Sequence, residues 1–460
     1  MSAAALWTIA EAARALGLAG KFPDTGIDFV TQDSRLVKPG ALFVALSGTP
    51  SGGFVSSFAS ARDGWEFAAD AEAAGAVAMI VPHKIQGVSI PQLVVKDTLT
   101  GGLWALARAA RARFKGPVIG LTGSAGKTST KEFIAAYPKA YASPSSFNNF
   151  WGVPLTLCNA SPEAGLWVVE MGMNQPGEIA PLSELTQPTV ALVLNVQPVH
   201  LEKLGGLEAI RREKVSIVRG LPKDGVLVLP VEVDAPEWNG RVIRFGEASQ
   251  VQELKHVARG ESWKVTAQVR SAQIEFSLTP GARHRVQNAL AALAAIDAAG
   301  LDVTALAEKL GKVGIMSGRG VEQTVGGVTV IDDSFNGNPA SMAAALDSLK
   351  ARPVKKGRRI AILGDMLELG ADAPAYHEAL AKHLPGIDGV YCVGSLMRHL
   401  YDLLPADRGL GWHENPATLD PQDIAALLKA GDVVVVKGSK KMFWVNRFVP
   451  GLLAALQARA

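Results

Sequence analysis

The hydrophobic positions of this chain fall into short apolar runs, separated by Gly- and Pro-rich turns and by stretches with helical spacing. The first runs are Ala41–Ala45, Ala76–Val81 and Leu93–Val95, and a helix is expected from Thr98 to Phe114. Arg108, Arg111 and Arg113 crowd the end of that helix, where cations suit the dipole. After Gly116-Pro117 a buried strand is expected over Pro117–Leu121, and a helical pattern begins after Lys127. Apolar runs at Leu166–Glu170, Val190–Leu194 and Gly225–Leu229 alternate with helical segments, among them Gly206–Val218 and the Ala- and Leu-rich Val286–Ala299. Near-continuous apolar strands divided by helices predict a parallel sheet covered on both faces. A loop is expected over Gly311–Gly320. Beyond it, Val328–Ile331, Ile360–Leu363, Val390–Val393 and Asp432–Val436 begin a further doubly wound unit. The pattern predicts an α/β chain of three domains, 1–114, 115–320 and 321–460. A chain of 460 residues fits that number at roughly 150 residues per domain. The Gly/Ser-rich stretch Gly48–Ser60 is expected as a surface loop.

Composition narrows the function classes. Hydrophobic residues make up 48% of the chain and charged residues 19%, enough apolar surface for several packed cores. The net charge is only +3, with Lys and Arg dispersed, which argues against a nucleic-acid partner. Cys158 and Cys392 lie far apart within apolar runs and fit neither a disulfide framework nor zinc spacing, so a reducing compartment is expected. The N-terminus lacks a basic region and meets Glu11 early, unlike a secretory signal. No uncharged apolar run reaches the roughly 18 residues that would suggest a membrane span. A soluble, cytoplasmic protein is expected.

The chemistry concentrates after the strand that ends at Leu121. Gly123-Ser124-Ala125-Gly126-Lys127-Thr128-Ser129 has the composition of a phosphate cradle. Its glycines let the backbone wrap an anion, and the following helix directs free N–H groups and its positive dipole end at the same point. Lys127 can reach the outer phosphates, and the Thr128 hydroxyl can join a Mg²⁺ shell. Leu121 stands where the strict motif has glycine, so the match is to the shorter G-x-x-G-K-T form; the bland alternative is a structural glycine turn. Glu170 ends a buried strand, at the sheet edge where parallel sheets bind ligands. It reads as a Mg²⁺ ligand or as an ordinary strand-end acid. His200 occupies the same position one strand further on, as a ligand or a packing residue. Asn148-Asn149 either holds a substrate or caps the next helix. Lys214, within Arg-Arg-Glu-Lys, reads on chemistry alone as a solvated side chain. Asp332–Pro339 and Lys437–Lys441 follow two strands of the last unit and belong on one cleft edge, or are ordinary turns.

Taken in order, G-S-A-G-K-T-S-T, N-N-F-W-G-V-P-L, V-V-E-M-G-M-N-Q-P-G-E-I, N-V-Q-P-V-H-L-E, R-V-Q-N-A-L, R-G, D-D-S-F-N-G-N-P, L-G-D-M-L-E-L-G and V-K-G-S resemble the Mur ligases. The resemblance is strongest to the members that add D-alanyl-D-alanine to a UDP-N-acetylmuramoyl-tripeptide, and it covers essentially the whole chain. It implies a UDP-sugar domain, a central ATPase and a C-terminal Rossmann-like domain. It also implies an ATP-dependent ligation in peptidoglycan synthesis, serving cell-wall biogenesis, cell shape and division. The expected partners are the UDP-tripeptide and the dipeptide, with no nucleic acid or membrane and a monomeric state. The expected cofactors are ATP and two Mg²⁺ ions. The resemblance assigns Lys214 as a carbamylated lysine that reaches toward Mg²⁺. Asn288 falls on the adenine side, and Arg319 and Asp333 at the nucleotide. Ser34, Arg35, Ser47, Gly48, Asn148, Asn149 and Asn336 fall on substrate. Phe335 stands where tyrosine is usual, Gly337 where alanine is usual and Lys440 where arginine is usual. The glutamate usual soon after is absent from Met442–Asn446. The alternatives are a sister ligase adding one amino acid, a folylpolyglutamate synthase, or a nucleotide-binding module without turnover.

Overall fold

The structure is a computed structural model that describes residues 5–54, 60, 62–199, 201–259, 262–279, 284–354 and 356–459. Among the described residues, backbone hydrogen bonds gather the strands into sheets of four, nine and six strands, plus a small pair in which Trp7–Thr8 runs antiparallel to Gly26–Ile27. The four-stranded sheet is parallel throughout, in the order Phe29–Thr31, Ala41–Val44, Ala76–Val81, Gln92–Val94. The central sheet begins with Ala140–Ala142, Leu166–Glu170, Val118–Thr122, Val190–Val193, Val226–Pro230 and Arg241–Phe245, all parallel. In the third sheet Val321–Val325 is antiparallel to Val328–Asp333. Val433–Lys437, Arg359–Gly364, Gly389–Val393 and Gly409–His413 then continue in parallel.

The central sheet departs from the sequence expectation beyond Phe245. There Val251–Arg259, Ser262–Val269 and Ala272–Leu278 form an antiparallel ribbon. These strands lack continuous apolar runs. Val265, Ala267 and Val269 are buried, while Thr266 and Gln268 between them are only partly covered, so one face meets the core and the other does not. The Ala- and Leu-rich helix, observed as His284–Ala298, packs against this sheet and is buried along most of its length. The expected helix Thr98–Phe114 opens with wide π-type turns over Thr98–Leu103 before the α-helix Trp104–Arg113. A Cβ on Gly102 would come within 2.9 Å of the Ile80 side chain, so this opening turn lies directly on the neighbouring strand. The expected helix Gly206–Val218 is α-helical over Leu207–Val215 and tightens to 3₁₀ from Ser216 to Gly220.

One hydrophobic core runs from Trp7, Val30 and Leu42 through Trp104 and Cys158 to Val193 and Leu229, joining the first sheet to the central one. Polar ties reinforce it. Trp7 Nε1 donates to the Cys158 carbonyl at 2.9 Å, and the Asn159 side chain both accepts from and donates to the Val30 backbone. The third sheet packs its two faces in clusters of its own, around Leu346 and Leu363 on one side and Val434 and Phe443 on the other.

Candidate active site

Parallel pairing aligns the strand ends that carry the chemistry. Leu121 lies opposite Glu170, and Thr122 opposite Val193, so the loop after Thr122 emerges between two other strand termini. Gly126 initiates the helix Lys127–Ala135 in the left-handed conformation, at φ +80°. A Cβ there would sit 2.6 Å from Asn288 Oδ1. The buried Asn288 thus abuts the loop, and its Nδ2 has no hydrogen-bond partner. Behind the loop, Asn195 Oδ1 accepts from Ala125 N at 2.9 Å, its carbonyl accepts from Ser124 N, and the Ser124 hydroxyl donates to Gln197 O. The Ser124 and Ala125 N–H groups are therefore engaged from behind, while the first-turn N–H groups of the helix have no intrahelical acceptor. Lys127 Nζ folds back to the Gly123 carbonyl at 2.7 Å. Burial lowers the Lys127 pKa, Glu170 opposes that shift and Arg319 adds to it. Ser129 lies in the first turn of the same helix.

Glu170 is only 1% exposed. Its Oε1 accepts from Asn148 Nδ2 at 2.8 Å and lies 3.4 Å from the Thr128 hydroxyl, whereas its Oε2 is buried without a partner. A buried carboxylate oxygen left bare, beside a hydroxyl and a phosphate loop, suits a hard divalent cation. Among the described residues no three His, Cys, Asp or Glu side chains converge on one point. His200 lies outside the described residues.

Lys214 is not the solvated helix-face residue that its charged neighbours imply. It is 2% exposed, and its pKa is driven well below the ordinary lysine value by burial and then by the nearby Lys127 charge, with Glu213 opposing. The reason is tertiary. Glu213 turns inward and accepts from Gly177 N and Ile179 N at the head of the earlier helix Ile179–Thr186, which draws this turn against the loop that follows Glu170. Asn148 and Asn149 face different partners. Asn148 holds Glu170, while Asn149 Oδ1 accepts from Gly152 N at the start of the helix Gly152–Asn159.

Arg319 crosses from the third sheet's side. Its Nη2 donates to Thr128 Oγ1 at 3.1 Å, and its guanidinium sits 4.1 Å from the Phe335 ring centroid. Lys440 Nζ lies 5.4 Å from the same centroid, so the Phe335 ring sits near two cations. Asp333 pairs with Lys437 at 2.7 Å across adjacent strands, and Lys437 also donates to the carbonyl of the exposed Asn336. Gly337, Gly364 and Gly438 meet here: a Cβ on Gly337 would lie 2.9 Å from the Gly438 backbone, and one on Gly438 would lie 2.8 Å from Gly364 Cα. Three strand-end loops are therefore packed backbone to backbone.

In the first domain, Ser34, Arg35, Ser47 and Gly48 line a cleft of about 1030 Å³. Arg35 is 86% exposed and forms a bidentate pair with Asp33, and Asp63 accepts from both Ser47 Oγ and Gly48 N. Phe150 and Trp151 of the central domain complete the wall. Sequence reasoning missed two groups. Asn195 carried a signal, a polar residue directly after an apolar strand. Lys131, buried in the helix after the phosphate loop, carried none.

Known families match the two later parts of the chain: the Mur ligase middle domain over residues 121–296, and the Mur ligase glutamate ligase domain over 320–440. Over 438 residues the chain is 33% identical to the UDP-N-acetylmuramoyl-tripeptide--D-alanyl-D-alanine ligase of Escherichia coli (strain K12), covering 91% of this chain and 92% of that one. The chain belongs to the Mur ligase family. The corresponding ligase of Mycobacterium tuberculosis (strain ATCC 25618 / H37Rv) is 32% identical over 471 residues, 88% of each chain. This Mur ligase superposes on MurF from Acinetobacter baumannii with a TM-score of 0.82 at 28% identity, covering 97% and 99% of the two chains. It superposes on the MurF ligase from Thermotoga maritima in complex with ADP with a TM-score of 0.77 at 26% identity, covering 94% and 98%. The three-domain α/β architecture with mostly parallel sheets is that of these enzymes.

Proposed function

We propose that this Mur ligase joins D-alanyl-D-alanine to UDP-N-acetylmuramoyl-tripeptide at the expense of ATP, in the cytoplasmic assembly of peptidoglycan precursors. Residues 1–114 take the UDP-sugar, 115–320 the ATP, and 321–460 close on both. One observation carries the reading. The segment Asn148–Trp151 places Asn148 on Glu170 and Phe150 and Trp151 in the cleft wall, so four residues span from the strand-end carboxylate beside the phosphate loop to the first-domain cavity. A ligand seated in that cleft can extend its free end toward the phosphate loop. Similarity to ligases of the same named activity over about nine-tenths of the chain supports the substrate pair.

The tripeptide's terminal carboxylate attacks the γ-phosphorus, and ADP departs from an acyl phosphate. The dipeptide amine then attacks the acyl carbon and expels phosphate. Lys127 and the helix N-terminus offset charge on the transferring group, and positioning does most of the rest. Thr128, Glu170, His200 and Lys214 would hold Mg²⁺, which supplies further charge neutralisation. Lys214 is suited to carbamylation because burial and the Lys127 charge disfavour its ammonium form, and a carbamate forms only on the neutral amine. The test is phosphate release from ATP by the purified enzyme. It should require both UDP-tripeptide and dipeptide, and Lys127→Ala should abolish it without loss of fold. Release that needs neither acceptor, or that a single amino acid supports equally, overturns the assignment.

A further inference from the structure

Lys131 is the most completely buried ammonium near the site, 1% exposed, and it lies one turn beyond Lys127 on the phosphate-loop helix. Its Nζ donates to the carbonyls of Ser143 and Ser145, both at 2.6 Å, and pairs with Glu132 at 2.9 Å. Two N–H groups of the buried ammonium thus meet backbone carbonyls, and the adjacent Glu132 carboxylate balances its charge. Two of those acceptors belong to the loop that leads into Asn148. The loop needs holding, because Ser145 lies in the left-handed region at φ +46°. It also touches Glu170 twice: Ser143 Oγ accepts from Glu170 N at 3.1 Å, and Asn148 Nδ2 donates to Glu170 Oε1. Asn148 has little lateral room, since its side chain comes within 2.8 Å of where a Cβ on Gly172 would be.

We propose that Lys131 is a positioning residue: it fixes the Ser143–Asn148 loop to the phosphate-loop helix, so that Asn148 orients Glu170 with one oxygen bare toward a divalent cation. The same helix carries Thr128, so a single rigid element sets both the hydroxyl and, through Lys131, the carboxylate. This rests on the reading of Glu170 as a cation ligand.

The experiment measures Mn²⁺ binding in the presence of ADP, by the free-Mn²⁺ resonance signal, for wild type, Lys131→Met, Asn148→Ala and the double variant, with urea stability measured alongside. Lys131→Met should weaken Mn²⁺ binding at least fivefold, as should Asn148→Ala. The double variant should be no weaker than the worse single one, because the two residues act in series. Additive losses, or unchanged Mn²⁺ binding in Lys131→Met however far its stability falls, would reduce Lys131 to a structural pin and overturn the proposal. Should Lys131→Met fail to fold, Lys131→Gln takes its place with the opposite expectation: its amide can still donate to the two carbonyls, so it should bind Mn²⁺ like wild type while Asn148→Ala loses at least fivefold, and a loss in Lys131→Gln as large as that of Asn148→Ala would overturn the proposal. Wild-type Mn²⁺ binding that is indifferent to Glu170→Gln would instead remove the underlying reading of Glu170.

Discussion

Replacing Gly126 with alanine probes the tightest contact in the phosphate loop. Two costs add at this position. The left-handed conformation costs an L-residue roughly 1–2 kcal/mol, and φ here is +80°. The new methyl would also lie 2.6 Å from Asn288 Oδ1, too close for any real contact. Asn288 is buried and on a helix, so relief means turning its side chain off its rotamer, about 0.5–1.5 kcal/mol. The expected loss is therefore about 1.5–3.5 kcal/mol in urea unfolding. Gly300 provides the control: its φ is +70° and nothing lies within 4 Å of a Cβ there, so Gly300→Ala should show the conformational cost alone. ADP titration adds the functional arm. Gly126→Ala should weaken ADP at least tenfold, about 1.4 kcal/mol, whereas Gly300→Ala should bind it normally. If the two variants lose equal stability and both bind ADP like wild type, the packing of Asn288 against the loop is wrong.

Three further outcomes are expected. Lys214 has a depressed folded-state pKa against about 10.4 in the unfolded chain, so between those values the unfolded state holds more protons and wild-type stability rises with pH; in buffer free of carbon dioxide, Lys214→Met should flatten the rise in urea midpoint from about pH 7 to about pH 9.5, and equal slopes would place the amine in solvent. Asn149→Ala should cost about 1 kcal/mol, as the loss of one hydrogen bond to a backbone N–H does, with ADP and Mn²⁺ binding intact; a variant that weakens either would give Asn149 a role beyond holding Gly152 N. Phe335→Leu should lose about 0.5–2 kcal/mol through the Arg319 contact, while Phe335→Tyr, which keeps the ring face, should not; identical losses on urea unfolding would discount the cation–ring interaction.

The sequence made the strand ends legible because the apolar runs that end there are nearly continuous. Leu166–Glu170 was read to the residue, and the loop from Gly123 to Thr128 was recognisable by composition alone. What escaped depends on contacts distant in sequence. The lysine of Arg-Arg-Glu-Lys looks solvated until Glu213 is seen to bind the loop around Gly177 and Ile179, which lies over thirty residues earlier. Lys131 gives no periodic signal, since its two carbonyl partners lie in an irregular loop. The ribbon from Val251 to Leu278 has one wet face, so its alternating pattern stands apart from the apolar runs that marked the other strands.

The hydrophobic core shared by the first and central sheets has a thermodynamic consequence. Trp7, Leu42 and Val193 belong to one buried cluster, whereas Leu363 and Val434 belong to others. Cooperativity follows buried contact rather than the count of sheets. The nucleotide and UDP-sugar regions are therefore expected to melt together, because one cluster spans both their sheets, while the C-terminal sheet, with a cluster on each face, is expected to melt separately. Cutting the chain near residue 114 would not release an intact ATPase; it would strip one wall from that common core. Any ligand held in the first-domain cleft raises the melting temperature of the phosphate-loop region too, by mass action alone.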